Sequence, residues 1–91
     1  LVIAYEPVWA IGSGEAASVD IASEMHLGIK AVLADRYPEL RVLYGGSVKP
    51  DNCAAFTMAT GIDGLLVGGA SLSAESFWNI CASAKGAEEW K

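Results

Sequence analysis

The chain contains 91 residues, of which 53% are hydrophobic and 19% are charged. This composition excludes a disordered chain and fits one small domain spanning residues 1–91, or a piece of a larger one. The 11 acidic and 6 basic residues give a net charge of −5 without a basic cluster. Nucleic acid and anionic membrane surfaces are therefore excluded as partners. No apolar run approaches the roughly 20 residues that span a bilayer.

The first predicted unit is a strand followed by a helix. Residues 1–5 form a continuous apolar run, which is typical of a strand in a buried parallel sheet. After a glycine-containing segment, Ser18 is suited to cap a helix, with Asp20 in its first turn. Apolar residues at three- and four-residue steps predict that this helix is amphipathic and runs to about Arg36. The predicted apolar stripe is Ala22, Met25, Ile29, Val32 and Leu33.

The second unit begins with a short strand at residues 41–44, which two glycines end. Pro50 fits the first position of a helix. This helix is predicted to run to about Ala59, and Gly61 terminates it.

The third unit repeats this order with a strand at residues 64–67 and another glycine pair. Ser73 is predicted to cap the last helix. The apolar stripe of that helix is Phe77, Ile80, Cys81 and Ala84.

Three strands alternating with three helices predict an α/β fold with a parallel sheet and right-handed crossovers. Ligands of such folds bind at the carboxyl ends of the strands. Here those ends carry Glu6, the glycine-containing turn at residues 45–47 and the glycine pair at residues 68–69. Backbone N–H groups in the two turns could hold a phosphate without cationic side chains. A single glycine pair would more often be a tight turn, but two on consecutive strand ends favour phosphate binding.

Each candidate residue has a structural alternative. Glu6 fits a general base if it is partly buried, but it also fits an ordinary solvated carboxylate where a strand meets a loop. The segment 7–14, apolar and then glycine-rich, fits either a lid over a site or a loop packed on a neighbouring helix. Lys49 is interpreted as a solvated residue, and His26 as a surface or edge residue of its helix rather than a ligand.

The remaining reactive residues do not form a recognisable site. Cys53 and Cys81 are too few and too far apart in the sequence for a disulfide scaffold or a zinc site. They are interpreted as reduced thiols of a cytosolic protein. With one histidine in the chain, we expect neither a metal site nor a Ser-His triad.

Three longer motifs carry a family resemblance. Residues 4–14 (AYEPVWAIGSG) closely resemble the catalytic-glutamate strand and the following loop of the triosephosphate isomerase family. Residues 44–52 (YGGSVKPDN) resemble the end of that family's seventh strand, and residues 64–72 (GLLVGGASL) resemble its eighth. The motifs occur in the family's order and cover nearly the whole chain. The resemblance implies the last three βα units of an eight-unit barrel, that is, a partial TIM (β/α)8 barrel.

The resemblance also implies roles. It implies an isomerase of glycolysis and gluconeogenesis, cytoplasmic and without a cofactor, that interconverts glyceraldehyde 3-phosphate and dihydroxyacetone phosphate. Glu6 matches the carboxylate that moves the proton between the two substrate carbons. Four residues match family positions whose main-chain N–H groups hold the substrate phosphate: Gly12, Ser47, Gly68 and Gly69. Positions of the closing lid and its latch match Pro7, Val8, Trp9, Ala10, Ile11, Ser13, Gly14 and Tyr44.

The chain also departs from the family pattern. Glu15 stands where the family usually has a lysine, and Ser13 replaces the usual threonine. The resemblance puts the family's active-site lysine, its electrophilic histidine and its dimer-forming loop in earlier parts of the barrel. We therefore expect the isolated chain to be inactive or nearly so. The start on an apolar run without a methionine is interpreted as a cut inside a longer protein or an expression boundary.

Three function classes remain open from the sequence. The chain is part of a triosephosphate isomerase, a stand-alone phosphate-binding module, or a non-catalytic fragment that folds by self-association. Three units leave two strand edges and a barrel-interior surface uncovered. We therefore expect a homo-oligomer. The residues expected on this uncovered surface are among the following six: Leu1, Ile3, Val42, Leu43, Leu65 and Val67.

Overall fold

The computed structural model describes residues 1–7 and 18–84. The strands and helices follow the predicted order. They are β1 (Val2–Tyr5), α1 (Val19–Leu33), β2 (Arg41–Tyr44), α2 (Cys53–Met58), β3 (Gly64–Leu65), a 3-10 helix (Gly69–Leu72) and α3 (Ala74–Ser83). No helix in these two ranges is long and apolar enough to cross a membrane.

The three strands form one parallel sheet in the order β1-β2-β3. Ile3 lies beside Val42, and Tyr5 lies beside Tyr44. Tyr44 in turn lies beside Leu65 of β3. Because parallel neighbours in register share a face, these residues all point to the same side of the sheet. This topology confirms the predicted α/β class with three βα units.

The core lies on that side of the sheet. Its largest fully buried side chains include Tyr44 and Phe56, whose rings stack with centroids 4.2 Å apart and planes at 8°. On the opposite side, Val2 and Ala4 are exposed. Of the six residues among which uncovered ones were expected, Leu1 is 67% exposed, whereas Val42 shares the core face of β2 and is fully buried.

Helix α1 begins as predicted but buries a different face. The Ser18 hydroxyl accepts a hydrogen bond from the Ile21 amide at 3.2 Å, which confirms the N-cap. Ala22 and His26 are fully buried, whereas Met25 is 45% exposed and Val32 83% exposed. The predicted stripe is thus displaced around the helix, and the interpretation of His26 as a surface or edge residue is wrong.

The remaining boundaries differ from the predictions by a few residues. Helix α1 ends at Leu33, where the Leu33 carbonyl accepts bonds from the amides of Arg36 and Tyr37 in a turn. Helix α2 begins at Cys53 rather than Pro50. Strand β3 has two residues instead of four. Ser73 caps α3 as predicted, because its hydroxyl accepts the Ser76 amide at 3.2 Å.

Asp63, directly ahead of β3, connects helix α1 to strand β2. Its carboxylate accepts the Val42 amide at 2.9 Å and pairs with the Lys30 ammonium at 2.7 Å. The Asp63 amide donates to the Val42 carbonyl at 3.0 Å. Burial alone would raise the pKa of Asp63, but the bonds from Lys30 and Val42 and the charges of Lys30 and Arg41 outweigh it and lower the pKa.

We expect removal of the Asp63 side chain to cost more stability than removal of its charge. Asp63→Asn keeps an oxygen for the Val42 amide and loses only the ion pair, at about 0.2–1 kcal/mol. Asp63→Ala also leaves that partly buried amide without its partner, which adds about 1–3 kcal/mol. The free energy of unfolding in urea at pH 7 measures the difference, with Asp35→Asn in an exposed turn as the control.

The stabilising contribution of Asp63 depends on pH in a direction that its pKa determines. Because the pKa of Asp63 is lower in the folded chain, its contribution is fully present above its ordinary value of 3.8. The contribution is lost as the pH falls through the folded pKa.

At pH 7, equal losses of unfolding free energy in Asp63→Asn and Asp63→Ala would show that the hydrogen bond to the Val42 amide contributes nothing.

Candidate active site

An open cleft of about 960 Å³ lies at the carboxyl ends of the three strands. Its volume is within the range of small-molecule sites. Residues that follow each of the strands line this cleft, among them Glu6, Gly45, Gly46, Ser47, Lys49, Gly68, Gly69 and Ser76. The cleft therefore combines the chemistry of all three strand ends.

The structure brings together four of the predicted site residues: Glu6, Ser47, Gly68 and Gly69. The predicted phosphate contact at Gly12 lies outside the described residues. So do the lid residues Val8, Trp9, Ala10, Ile11, Ser13 and Gly14, as well as Glu15. Pro7, the first residue assigned to the lid, is buried. The remaining predicted residue, Tyr44, lies in the core against Phe56.

Glu6 follows the last paired residue of β1 and is exposed. Of the two alternatives considered from the sequence, this exposure agrees with the solvated carboxylate. Its position is set by Gly45, whose amide donates to the Tyr5 carbonyl at 2.8 Å. A Cβ atom on Gly45 would lie 2.7 Å from Glu6 Cγ and 3.3 Å from the Tyr5 oxygen. The absence of a side chain at Gly45 thus allows the end of β2 to lie directly against the Glu6 stem.

The turn after β2 is braced by Asn52. The Asn52 side chain accepts the Lys49 amide at 2.7 Å and donates to the Ser47 carbonyl at 3.1 Å. The Asn52 amide closes the turn by donating to the Lys49 carbonyl at 3.1 Å. This role of Asn52 was not predicted from the sequence. The signal was an asparagine at the start of a helix, which commonly bonds to nearby backbone.

The turn after β3 leads into the 3-10 helix. Both the hydroxyl and the amide of Ser71 donate to the Gly68 carbonyl, at 2.6 and 2.9 Å. The first amides of a helix have no partner within it, which suits an anion at this end of the cleft. A Cβ atom on Gly68 or Gly69 would meet nothing within 4 Å. Packing within the described chain therefore does not require glycine at either position.

The other groups considered from the sequence are separate from the cleft or exposed at its edge. His26 is fully buried beneath β1 and β2, where its ring contacts Tyr5 and Tyr44. Lys49 lines the cleft, yet it is exposed, as the solvated interpretation predicts. Within residues 1–7 and 18–84, no group of three or more His, Cys, Asp or Glu residues could hold a metal ion.

Comparison with known proteins agrees with this arrangement. The family model for triosephosphate isomerase matches residues 1–84. The chain belongs to the triosephosphate isomerase family. It is 53% identical over 84 residues to the triosephosphate isomerase of Xanthobacter flavus, covering 88% of this chain and 34% of that protein. It is 55% identical over 86 residues to the enzyme of Marinobacter nauticus, covering 91% and 34%. It is 49% identical over 88 residues to that of Dichelobacter nodosus, covering 92% and 36%.

The chain therefore spans about a third of the length of the curated relatives that it matches. The family assignment confirms the resemblance found in the sequence and makes the chain a fragment relative to these isomerases. Its three parallel βα units agree with a part of the family's α/β fold.

Proposed function

We propose that the chain is the part of a triosephosphate isomerase that carries its proton-transfer carboxylate and most of its phosphate-binding turns. The observation that supports this most directly is the convergence of Glu6 with Ser47, Gly68 and Gly69 in one cleft. The substrate class is a three-carbon sugar phosphate. The reaction interconverts glyceraldehyde 3-phosphate and dihydroxyacetone phosphate, a step of glycolysis and gluconeogenesis in the cytoplasm.

The chemistry assigns different roles to the two sides of the cleft. The Glu6 carboxylate removes a proton from the carbon next to the substrate carbonyl and returns it to the former carbonyl carbon, while the hydroxyl proton of the first carbon passes to the former carbonyl oxygen. Main-chain amides of Ser47, Gly68 and Gly69, together with Gly12, hold the phosphate. Because the phosphate is held by neutral donors, the site needs no cluster of lysines in an acidic chain.

The isolated chain is proposed to be inactive or nearly so. Family resemblance puts the lysine and the histidine that polarise the carbonyl in the part of the barrel that precedes this one. Loss of a preorganised donor to a developing oxyanion costs about 10²–10³ in rate.

The chain is also proposed to form a homo-oligomer. Val2 and Ala4 lie exposed on the open face of the sheet, which supports association through that face.

The phosphate half of the site is tested by titrating the ¹⁵N-labelled chain with 2-phosphoglycolate. We expect saturable shifts of the amides of Ser47, Gly68 and Gly69. Gly69→Ala is expected to weaken binding at least about tenfold because its methyl group occupies the ligand's approach to the backbone. Stability is expected to stay within about 0.5 kcal/mol of the parent chain, since a Cβ there meets no atom within 4 Å.

The outcomes separate the three function classes. Binding without isomerase activity, even when the rest of the barrel is supplied, would leave a stand-alone phosphate-binding module. Dispersed amide resonances that do not shift would leave a non-catalytic scaffold. The matched control is Gly28→Ala, because Gly28 lies on the exposed side of α1 and a Cβ there also meets no atom within 4 Å. This variant is expected to leave the titration unchanged.

A further inference from the structure

His26 is a buried polar side chain whose ring nitrogens meet no hydrogen-bond geometry with residues 1–7 and 18–84, although the backbone of Val42 and Gly61 lies close enough to raise its pKa. Its relative exposure is 0%. A buried polar group that is left unpaired costs about 1–3 kcal/mol. A buried group of this kind therefore calls for a role that an apolar side chain would not supply.

The His26 ring connects helix α1 to the end of β1. It meets the Tyr5 ring edge-on, with centroids 5.6 Å apart and planes at 88°. On its other side it contacts the Tyr44 ring at 6.3 Å, and Tyr44 stacks on Phe56 of α2. One row of contacting rings thus connects β1, α1, β2 and α2, and within this row His26 packs against Tyr5.

Tyr5 connects this row to the cleft. It directly precedes Glu6, and its carbonyl accepts the Gly45 amide at 2.8 Å. Gly45 in turn lies against the Glu6 stem. A displacement of Tyr5 would therefore move both the Glu6 carboxylate and the Gly45 backbone that lies against it.

The ring must be neutral to occupy this place. Burial lowers the pKa of His26, and the neighbouring backbone of Val42 and Gly61 and the Asp63 carboxylate offset this only in part. The Lys30 ammonium on the same helix lowers it further. The groups that face the ring from β1 and β2 are the side-chain rings of Tyr5 and Tyr44. A proton on His26 would thus bury a charge, and the Asp63 carboxylate that acts on the ring is already paired with Lys30.

We propose that His26 is a positioning residue for Glu6, and that protonation of its ring releases the carboxyl end of β1 from β2. This inference rests on the proposed function, because the position of Glu6 matters only if Glu6 transfers the proton. A phenylalanine would fill the same space at every pH. Histidine makes the hold on Tyr5 conditional on pH.

The direction of the pH effect follows from linkage. An exposed histidine takes up its proton near pH 6.5, and the folded ring takes it up at lower pH. The hold on β1 is therefore complete above about pH 6.5 and weakens as the pH falls toward the folded value. One linked proton limits the effect to about tenfold per pH unit.

Two backbone amides report the release separately from unfolding. The Gly45 amide bonds β2 to β1 through the Tyr5 carbonyl, and the Leu66 amide bonds the end of β3 to β2 through the Tyr44 carbonyl. We measure their hydrogen-exchange protection in the ¹⁵N-labelled chain from pH 7.5 to 5, corrected for intrinsic exchange, together with the His26 ring shifts. Protection of Gly45 is expected to fall up to about tenfold per pH unit as the ring titrates, while that of Leu66 changes less than about twofold.

Substitutions separate positioning from simple packing. His26→Phe keeps a ring against Tyr5 and is expected to retain Gly45 protection while abolishing its pH step. Met25→Phe, on the exposed side of the same helix, is the control and is expected to keep the step. A step that persists in His26→Phe would assign it to another group, and joint loss of protection at Gly45 and Leu66 would make His26 merely structural. Either result overturns the proposal. The readout involves no substrate, so its failure is distinct from failure of the proposed isomerase function.

Discussion

Glu6→Gln is expected to lower the turnover of a complete barrel containing this chain by about 10²–10⁴-fold, with little change in KM. The amide has nearly the shape of the carboxylate but cannot accept the substrate proton, and general-base catalysis contributes a factor of this size. Substrate binding is expected to persist, because the proposed phosphate contacts come from backbone at Ser47, Gly68 and Gly69 rather than from Glu6.

The measurement uses a chimera, because this chain spans only a third of its relatives. It is joined to the preceding two-thirds of the Marinobacter nauticus relative, in place of the matching segment. A coupled isomerase assay compares the chimera with Glu6→Gln and with Glu6→Asp, whose shorter stem is expected to give an intermediate loss. Glu24→Gln, exposed on α1, is the control and is expected to retain full activity. Undiminished turnover in Glu6→Gln would remove Glu6 from the proposed mechanism.

Local chemistry in the sequence predicted the elements that frame the site. One glycine pair directly follows β2, and the second begins at Gly68, where the predicted third strand ends rather than the observed β3. Ser18 and Ser73 cap the helices that they were predicted to cap. These features depend on residues close together in the chain, and parallel topology then brings the strand ends to one edge. This is why the convergence of Glu6 with the two glycine turns could be predicted.

Features that depend on distant partners could not be predicted in the same way. His26 is buried because Tyr5 and Tyr44 supply ring surfaces from two strands, whereas periodicity alone classed it as polar and exposed. Met25 was assigned to the buried stripe because it is apolar, yet it faces outward. The Asn52 brace required the observed geometry of the turn after β2. Hydrophobic periodicity predicts that a helix has a buried face, but the elements that pack against the helix determine which side chains lie on that face.

Gly46→Ala is expected to be the most damaging single-methyl change in the cleft. Gly46 is buried, and a Cβ atom there would overlap the hydroxyl and ring of Tyr44. Tyr44 cannot retreat, because it is fully buried and its ring stacks on Phe56 at 4.2 Å. The turn at residues 45–47 must shift instead. Overpacking of this kind costs about 1–3 kcal/mol, and the shift would also displace the Ser47 amide from its proposed phosphate contact.

A double-mutant cycle with Tyr44→Phe identifies the contact responsible. Removal of the Tyr44 hydroxyl is expected to relieve part of the clash, so the two substitutions should couple by about 0.5–3 kcal/mol. Urea unfolding of the parent, both single variants and the double variant measures this, and Gly28→Ala is the matched control. That variant is expected to gain about 0.5–1 kcal/mol, because a Cβ at Gly28 meets no atom within 4 Å and alanine favours a helix. Strict additivity of Gly46→Ala and Tyr44→Phe would show that the hydroxyl is not the obstacle. In that case the glycine would be required by the ring carbons, which phenylalanine keeps, or by the backbone of the turn.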